Sequence, residues 1–204
     1  MTYSFMDESA QPTTDRHVVN AALELLRDGE VLTIDAVARA TGLTKPGVLH
    51  HIGSKQNLML RAVDEVVDRW TVELRRFPSQ MGPDAGDTPF RSTATARLRS
   101  YLDFACAHDF DASDLALFAD PRLRERLREQ WAQRLRPWLG PPAGERSPAQ
   151  VAVRLLADGM WFNAALGTGA ADPQEKEQVR VLGQQLLDRE SAAAAEDSVG
   201  ASTP

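Results

Sequence analysis

The sequence predicts an all-α protein, and three observations favour that class. Apolar residues recur at three- and four-residue spacings along most of the chain, which is typical of helices buried on one face. No run of β-branched residues alternates with polar ones, as a half-buried strand requires. Threonine, serine, proline and glycine interrupt the apolar stretches at positions that helix ends favour. The 204 residues suffice for one large domain or two small ones.

The first two predicted helices lie between a polar arm and a glycine turn. Residues 1–14 are polar and aperiodic, so we predict a flexible arm there. The first helix has one apolar stripe, formed by Val19, Ala22, Leu23 and Leu26. Gly29 follows its end, and Thr33 is placed to cap a second helix over residues 34–40. Gly42 closes that second helix.

Two more predicted helices follow the glycine turn. Thr44 caps the third helix, and Pro46 lies in its first turn, where the missing N–H costs no hydrogen bond. Ser54 caps the fourth, which we expect to continue to Phe77 and into the rest of the protein. Its apolar stripe consists of Met59, Val63, Val66, Trp70, Leu74 and Phe77. Residues 78–89 are rich in proline and glycine and are predicted to be a disordered linker.

Beyond the linker the sequence predicts four further helices. The first is marked by Leu98, Tyr101, Leu102 and Ala105. The second follows Asp120-Pro121 and has on one face Leu123, Leu127, Trp131, Leu135 and Trp138. The third follows Ser147-Pro148. The last begins at Asp172-Pro173, with Val179, Leu182 and Leu186 predicted to be buried. Residues 191–204 are predicted to be a disordered tail.

The helix after Ser147-Pro148 is apolar on two faces. One stripe consists of Val151, Leu155, Gly159, Phe162 and Leu166. The neighbouring positions Ala152, Leu156, Met160 and Gly167 are also apolar or small. Such a helix must be covered twice, so we expect a second subunit to cover one face. Asp158 and Asn163 lie among these residues and need polar partners, either across a dimer seam or on a ligand.

Composition limits the class of protein. The net charge of −6 at pH 7 means that any nucleic-acid surface must be a local basic patch. No apolar run approaches the roughly 20 residues that cross a bilayer. The N-terminus lacks the basic-then-apolar order of a signal peptide. The single cysteine, Cys106, excludes an intramolecular disulfide and a CxxC metal site, and we expect it to be a small buried residue. These features predict a soluble cytoplasmic protein.

Two short predicted helices meet at Gly42 within residues 33–55, as in a helix–turn–helix that binds DNA. In that module the second helix enters the major groove by its N-terminus. Thr33 would offer its hydroxyl and backbone N–H groups to a phosphate. Between Asp35 and Asp64, 28 residues contain no carboxylate, as a phosphate-facing surface would need. Short helices of an ordinary bundle are the alternative.

Three motifs follow one another in residues 32–58: LTIDAVA, GLTK and HIGSKQNL. With the preceding helix, residues 16–63 resemble the DNA-binding domain of the TetR family of bacterial transcriptional repressors. The resemblance implies phosphate contacts from Thr33 and Lys55. It also implies recognition-helix contacts from Thr44, Lys45, Pro46, Gly47, His50 and His51. Two positions depart from the family pattern: Leu49 replaces a phosphate-contacting tyrosine, and Ile52 replaces a phenylalanine.

The resemblance also implies a function and a division of the chain. It implies a ligand-responsive repressor that binds a palindromic operator in double-stranded DNA as a homodimer, without enzymatic activity. The DNA-binding domain would span residues 15–60, and a domain for ligand binding and dimerisation would span residues 61–190. We expect a small-molecule effector of unknown identity in the second domain. Its candidate contacts are Phe104, Phe118, Trp131, Asp158, Trp161, Phe162 and Asn163. No cofactor and no metal are expected.

Other interpretations remain open from the sequence. An all-helical enzyme has no catalytic constellation to support it. A helical ligand-binding or interaction module that has lost DNA binding fits the two departures and the acidic charge. Residues 121–138 contain six arginines and two glutamates, which fits either a second nucleic-acid patch or a solvated face paired at helical spacing. His50 and His51 are adjacent and point about 100° apart, so they are not expected to bind a metal together.

Overall fold

The computed structural model describes residues 10–77, 93–118, 120–139 and 143–200. Within these ranges the chain forms eight α-helices, one 3₁₀ helix and no strand. The helices are α1 (Ala10–Arg27), α2 (Ile34–Thr41), α3 (Lys45–Ile52), α4 (Lys55–Leu74), α5 (Ala94–Ala107), α6 (Arg124–Leu135), α7 (Pro148–Leu166) and α8 (Pro173–Gly200). The 3₁₀ helix is Ala112–Phe118. The all-α prediction is confirmed. None of the helices in the described ranges is long and apolar enough to cross a membrane.

The chain divides into two compact units. Unit 1 consists of Met1–Asp68 and Asp111–Gln133, and unit 2 of Arg69–Phe110 and Arg134–Pro204. The predicted division after residue 60 therefore differs from the structural one. The second segment joins unit 1 through specific contacts: Arg27 Nε donates to Asp111 Oδ2 at 2.7 Å, and Gln130 Nε2 donates to the Leu60 carbonyl at 2.9 Å. Contacts between residues so far apart in the chain cannot be predicted from sequence periodicity.

Unit 1 is built on the mutual packing of α1, α2 and α3. Apolar residues join α2 to α3, since Val37 and Val48 are fully inaccessible and Ala38 is nearly so. Ile52, which replaces the phenylalanine of the family pattern, is also buried. The apolar stripes of the first three helices therefore meet in one small core.

Unit 2 is organised around α5, which packs against both α7 and α8. The residues predicted to mark α5 are all buried, and so are the neighbouring polar side chains Arg99, Ser100 and Asp103. Arg99 is compensated by Asp188 of α8, at 2.5 Å between Nη2 and Oδ1. Asp103 accepts a 2.9 Å bond from Gln184 Nε2. The α5–α8 contact is therefore partly ionic, because a buried charge requires a partner.

An aromatic cluster fills the rest of unit 2. The Trp70 ring lies 5.3 Å from the ring centroids of Phe104, Phe110 and Trp161. The tilted and edge-on ring pairs have the geometry that aromatic quadrupoles favour. Trp70 was predicted on the buried stripe of α4, and it is fully buried.

The predicted registers of α7 and α8 are corrected by the structure. The buried residues of α7 are Val153, Ala157, Trp161 and Ala165. The predicted stripe lies outward: Val151, Leu155, Phe162 and Leu166 are 41%, 64%, 39% and 47% exposed. On α8, Leu182 is 49% exposed and Leu187 is buried instead. The buried face coincides with neither of the two predicted stripes, because α7 is apolar or small around most of its circumference and periodicity alone does not show which face packs on α5.

Helix ends also differ from the predictions. The helix α1 begins at Ala10, inside the predicted arm, and α4 ends at Leu74 rather than Phe77. The helix α8 continues to Gly200, where a disordered tail was predicted from residue 191. Residues 192–195 are four alanines, and alanine has the highest helix propensity of any residue type. The predicted linker at 78–89, residues 1–9 and residues 201–204 lie outside the described residues.

The close approach of α8 to α5 gives a testable prediction. A Cβ added at Gly183 would lie 2.4 Å from Cδ2 of Leu102, which is fully buried and has little room to move. A Cβ added at Gly159, on α7, would meet no atom within 4 Å. We expect Gly159→Ala to raise the free energy of unfolding by up to about 1 kcal/mol through helix propensity. The free energy of unfolding of Gly183→Ala should be about 1–3 kcal/mol lower than that of Gly159→Ala, because the added methyl group overpacks the contact with Leu102.

Urea denaturation of the two variants measures this difference directly. Equal midpoints for both variants would show that Leu102 moves aside freely and that the contact is not tight.

Candidate nucleic-acid interface and effector cavity

Two threonine caps and one glycine shape the helix–turn–helix of unit 1. Thr33 Oγ1 accepts the Ala36 N–H at 3.0 Å, and Thr44 Oγ1 accepts the Gly47 N–H at 3.1 Å. Gly42 ends α2 with φ of 69°, in the left-handed region that favours glycine. Both caps and the turn were predicted from the sequence. Each capping bond satisfies a donor that the helix itself leaves unpaired.

The start of α3 is exposed. Thr44, Lys45, Pro46 and His50 are exposed, and Gly47 is half-buried, while Val48 and Ile52 face the core. A Cβ at Gly47 would lie 3.2 Å from Thr44 Oγ1. Gly47 therefore makes room for the cap of its own helix, a role that sequence reasoning missed. The first turn of α3 therefore presents the side chains of Thr44, Lys45 and Pro46 to the outside.

Three cations in the predicted carboxylate-free stretch have acidic partners that come from elsewhere in unit 1. Lys45 Nζ lies 3.0 Å from Asp35 Oδ2, and Lys55 Nζ lies 3.7 Å from Asp120 Oδ2. Arg61 Nη1 lies 2.7 Å from Asp15 Oδ2. Such surface pairs are worth about 0–1 kcal/mol each, so a phosphate can compete for the same cations. The pairs with Asp15 and Asp120 join residues that are distant in sequence.

His51 differs from the other predicted DNA contacts because it faces α1. Its side chain is only 18% exposed, and Nδ1 lies 3.1 Å from Asp15 Oδ1. Asp15 also binds Arg61, so one carboxylate connects α1 to both α3 and α4. His51 thus connects α3 to α1, while its neighbour His50 is exposed. In the described part of the chain, no group of three or more potential metal ligands comes together.

Unit 2 contains an open cavity of about 540 Å³. It is lined by Phe77, Asp103, Cys106, Ala107, Pro173, Lys176, Glu177 and Arg180. Arg180 Nε donates to Glu177 Oε2 at 2.7 Å, and Arg180 Nη1 lies 3.7 Å from Asp103 Oδ1. The lining therefore combines apolar surface with a charged group on one side. A cavity of this size and character is suited to a small organic molecule.

The seven predicted effector residues are scattered, and none of them lines this cavity. Phe104 and Trp161 belong to the aromatic cluster, and Phe162 and Asn163 are exposed on α7. Phe118 and Trp131 lie in unit 1, outside the unit that contains the cavity. No sequence pattern predicts the charged lining, because Asp103, Lys176 and Arg180 come together only when α8 packs on α5.

Asp158, the remaining predicted effector residue, has partners within unit 2. It accepts a 2.7 Å bond from Tyr101 Oη and a 2.8 Å bond from Arg154 Nε. Burial, together with the charge of Asp158, raises the pKa of Tyr101 well above its usual value. Tyr101 therefore stays a neutral donor, and the network is an internal brace between α5 and α7.

Comparison with known proteins agrees with this architecture. Residues 95–188 match a family model described as a tetracyclin repressor-like, C-terminal domain. A member of the TetR family from Streptomyces coelicolor A3 is similar in structure, with a TM-score of 0.56, 17% identity, and coverage of 84% of this chain and 96% of that one. The multidrug binding protein EbrR, solved with imidazole, has a TM-score of 0.53, 16% identity, and coverage of 88% and 96%. A search of the curated proteins found no match.

Residues 95–188 are therefore similar to a tetracyclin repressor-like C-terminal domain, and the fold resembles that of a solved member of the TetR family.

The thiol that lines the cavity gives a second prediction. Burial, with the nearby Asp103 carboxylate, raises the pKa of Cys106 to about 11. At pH 8 the thiolate fraction is then roughly 100-fold below that of an ordinary cysteine, so alkylation should be slower by about that factor. The rate with iodoacetamide, compared between folded and urea-unfolded protein, measures the effect. Similar rates in both states would contradict a protonated, shielded thiol.

Proposed function

We propose that the protein is a homodimeric transcriptional repressor that binds a palindromic operator through α3 and is released by a small molecule bound in unit 2. The observation that supports this most is the exposed, threonine-capped start of α3 beside the left-handed turn at Gly42. That arrangement presents a helix N-terminus outward, which is the end that enters the major groove in this class of proteins.

Phosphate contacts would come from two helix starts. The N-termini of α2 and α4 carry Thr33 and Lys55, and a helix N-terminus attracts anions through its free N–H groups and dipole. Lys45 and His50 would lie closer to the bases. On binding, a phosphate would replace Asp120 as the partner of Lys55. Leu49 offers no hydroxyl, so Thr33 and Lys55 would account for more of the backbone contact.

The dimer would form through an apolar surface of unit 2. We call it the α7–α8 surface: Val151, Leu155, Phe162 and Leu166 of α7 with Val181 and Leu182 of α8. Each of these side chains is at least 38% exposed in the single chain. Exposed apolar residues concentrated on two neighbouring helices are typical of a permanent interface. A second copy would place two α3 helices in successive major grooves, about 34–36 Å apart.

Release from DNA would require an effector that prefers one state of the dimer. The cavity beside Arg180 and Lys176 is the proposed effector site, and the continuous helix α4, which contributes to both units, is the proposed link to α3. The effector would lower DNA affinity by the difference between its binding energies to the two states.

DNA binding tests the proposal first. Duplexes are selected from a random-sequence library with the full-length protein, and their affinity is measured by fluorescence anisotropy at several salt concentrations. We expect Lys55→Ala to weaken binding to all sequences and to lower the slope of log K against log salt by about one, because one phosphate contact is lost. Lys45→Ala should instead change the preferred bases.

Two outcomes would count against this assignment. If no sequence is enriched and binding is insensitive to salt, the chain is a helical ligand-binding module that has lost DNA binding, as Leu49 and the acidic partners of the lysines would allow. If Lys45→Ala weakens all sequences uniformly, Lys45 contacts the backbone and not the bases.

The dimer prediction uses a charge placed in the α7–α8 surface. Leu155 is 64% exposed, so Leu155→Glu should leave the protomer folded while burying a carboxylate in the interface. We expect sedimentation equilibrium to show a monomer where the wild type is a dimer, with an unchanged helical circular dichroism spectrum. Val31→Glu is the matched control, since Val31 is 80% exposed in unit 1. If the wild-type protein is a monomer at tens of micromolar, the proposal of a homodimer is wrong.

A further inference from the structure

The first residues of α6 and the two residues before it are unusually basic for an acidic protein. Residues 122–128 contain four arginines and one glutamate, although the whole chain has a net charge of −6. Glu125 pairs with Arg128 at 2.7 Å. Arg122, Arg124 and Arg126 are exposed, and none of them pairs with a carboxylate among the residues that the structure describes. Only one of the two pairs that the spacing predicts for this segment forms, so three guanidinium groups are available to a partner.

Contacts within unit 1 fix where this segment lies. Asp120 Oδ1 accepts the Arg122 backbone N–H at 2.9 Å, while Asp120 Oδ2 lies 3.7 Å from Lys55 Nζ. Arg122 is two residues from Asp120, so the two Cα atoms are at most about 7 Å apart. The basic segment therefore begins beside the N-terminus of α4, where Lys55 is the proposed phosphate contact.

A second contact aligns α6 with α4. Gln130 Nε2 donates to the Leu60 carbonyl at 2.9 Å, so this face of α6 lies against the first turns of α4. Arg126 is four residues before Gln130 and shares its row on the helix. Arg122 lies outside the helix, in the turn that precedes α6. These contacts bring the two arginines and Lys55 to one region of unit 1, and we call the set Lys55, Arg122 and Arg126 the flank row.

We propose that Arg122 and Arg126 bind DNA backbone phosphates that flank the sequence contacted by α3. The inference rests on the proposed function and adds to it a binding surface that the helix–turn–helix does not include. A guanidinium fork binds phosphate oxygens in pairs, and replacing counterions with such contacts stabilises the complex without reading sequence. The flank row would extend the phosphate contacts beyond Lys55, to backbone positions outside the half-site that α3 contacts.

The test compares three single variants: Arg122→Ala, Arg126→Ala and Arg128→Ala. Arg128 is the matched control, since it has the same charge on the same helix but is already paired with Glu125. Affinity is measured by fluorescence anisotropy at several salt concentrations on two forms of the selected duplex. The long form has about 10 flanking base pairs on each side, and the trimmed form has only the base pairs that the protein protects in a footprint. On the long duplex we expect Arg122→Ala and Arg126→Ala each to lower the salt slope by about one, while Arg128→Ala leaves it unchanged.

Duplex length separates the flank row from a general loss of positive charge. On the trimmed duplex the Arg122→Ala and Arg126→Ala variants should match the wild type, because the flanking phosphates are gone. Hydroxyl-radical footprints on the long duplex should lose protection only at the outer positions. If all three arginine variants reduce affinity equally on both duplexes, the effect is long-range charge and the inference is overturned.

Failure of this inference is distinguishable from failure of the proposed function. If Lys55→Ala lowers the salt slope and Arg122→Ala and Arg126→Ala do not, the repressor assignment stands and the flank row does not bind DNA. That result would assign the arginines to an acidic protein partner or to solvent. If no duplex is selected at all, both the proposed function and the flank row are excluded.

Discussion

The turn at Gly42 is the constraint on which the candidate interface depends. With φ of 69°, it ends α2 and sets the direction in which α3 leaves. A residue with a Cβ is strained in that conformation, so the angle between the two helices depends on a glycine here. The caps from Thr33 and Thr44 then hold each helix start, and Gly47 makes room for the second cap. The geometry of α3 is therefore local in origin.

Charge in unit 1 is balanced by residues that are distant in sequence. Asp15 connects α1 to His51 and Arg61, and Asp120 lies against Lys55. These pairs neutralise the cations locally, so unit 1 does not carry a large positive potential. Because exposed ion pairs are weak, a phosphate can still replace a carboxylate as the partner of a cation. Residues 36–63 contain no carboxylate, yet three cations in this stretch, Lys45, Lys55 and Arg61, each have an acidic neighbour in the folded chain.

In unit 2, the position of α5 decides which face of α7 is core. Val153, Ala157, Trp161 and Ala165 are buried, and Leu155 and Phe162 stay outside. Small side chains at two of these positions, and Gly183 on α8, allow close packing on α5. The remaining apolar face is left for another surface to cover. The charged cavity follows from the same packing, since Asp103 of α5 lies beside Arg180 of α8.

The sequence by itself determined the helical class, the caps at Thr33, Thr44 and Ser54, the turn at Gly42 and the exposed start of α3. These features depend on residues within a few positions of one another, where backbone geometry and propensity decide. Tertiary structure alone decided the division into units, the register of α7, the inward orientation of His51 and the residues around the cavity. Each of these depends on contacts between residues far apart in the chain. A helix that is apolar on two faces, or a histidine beside a distant aspartate, has no local pattern that predicts its orientation.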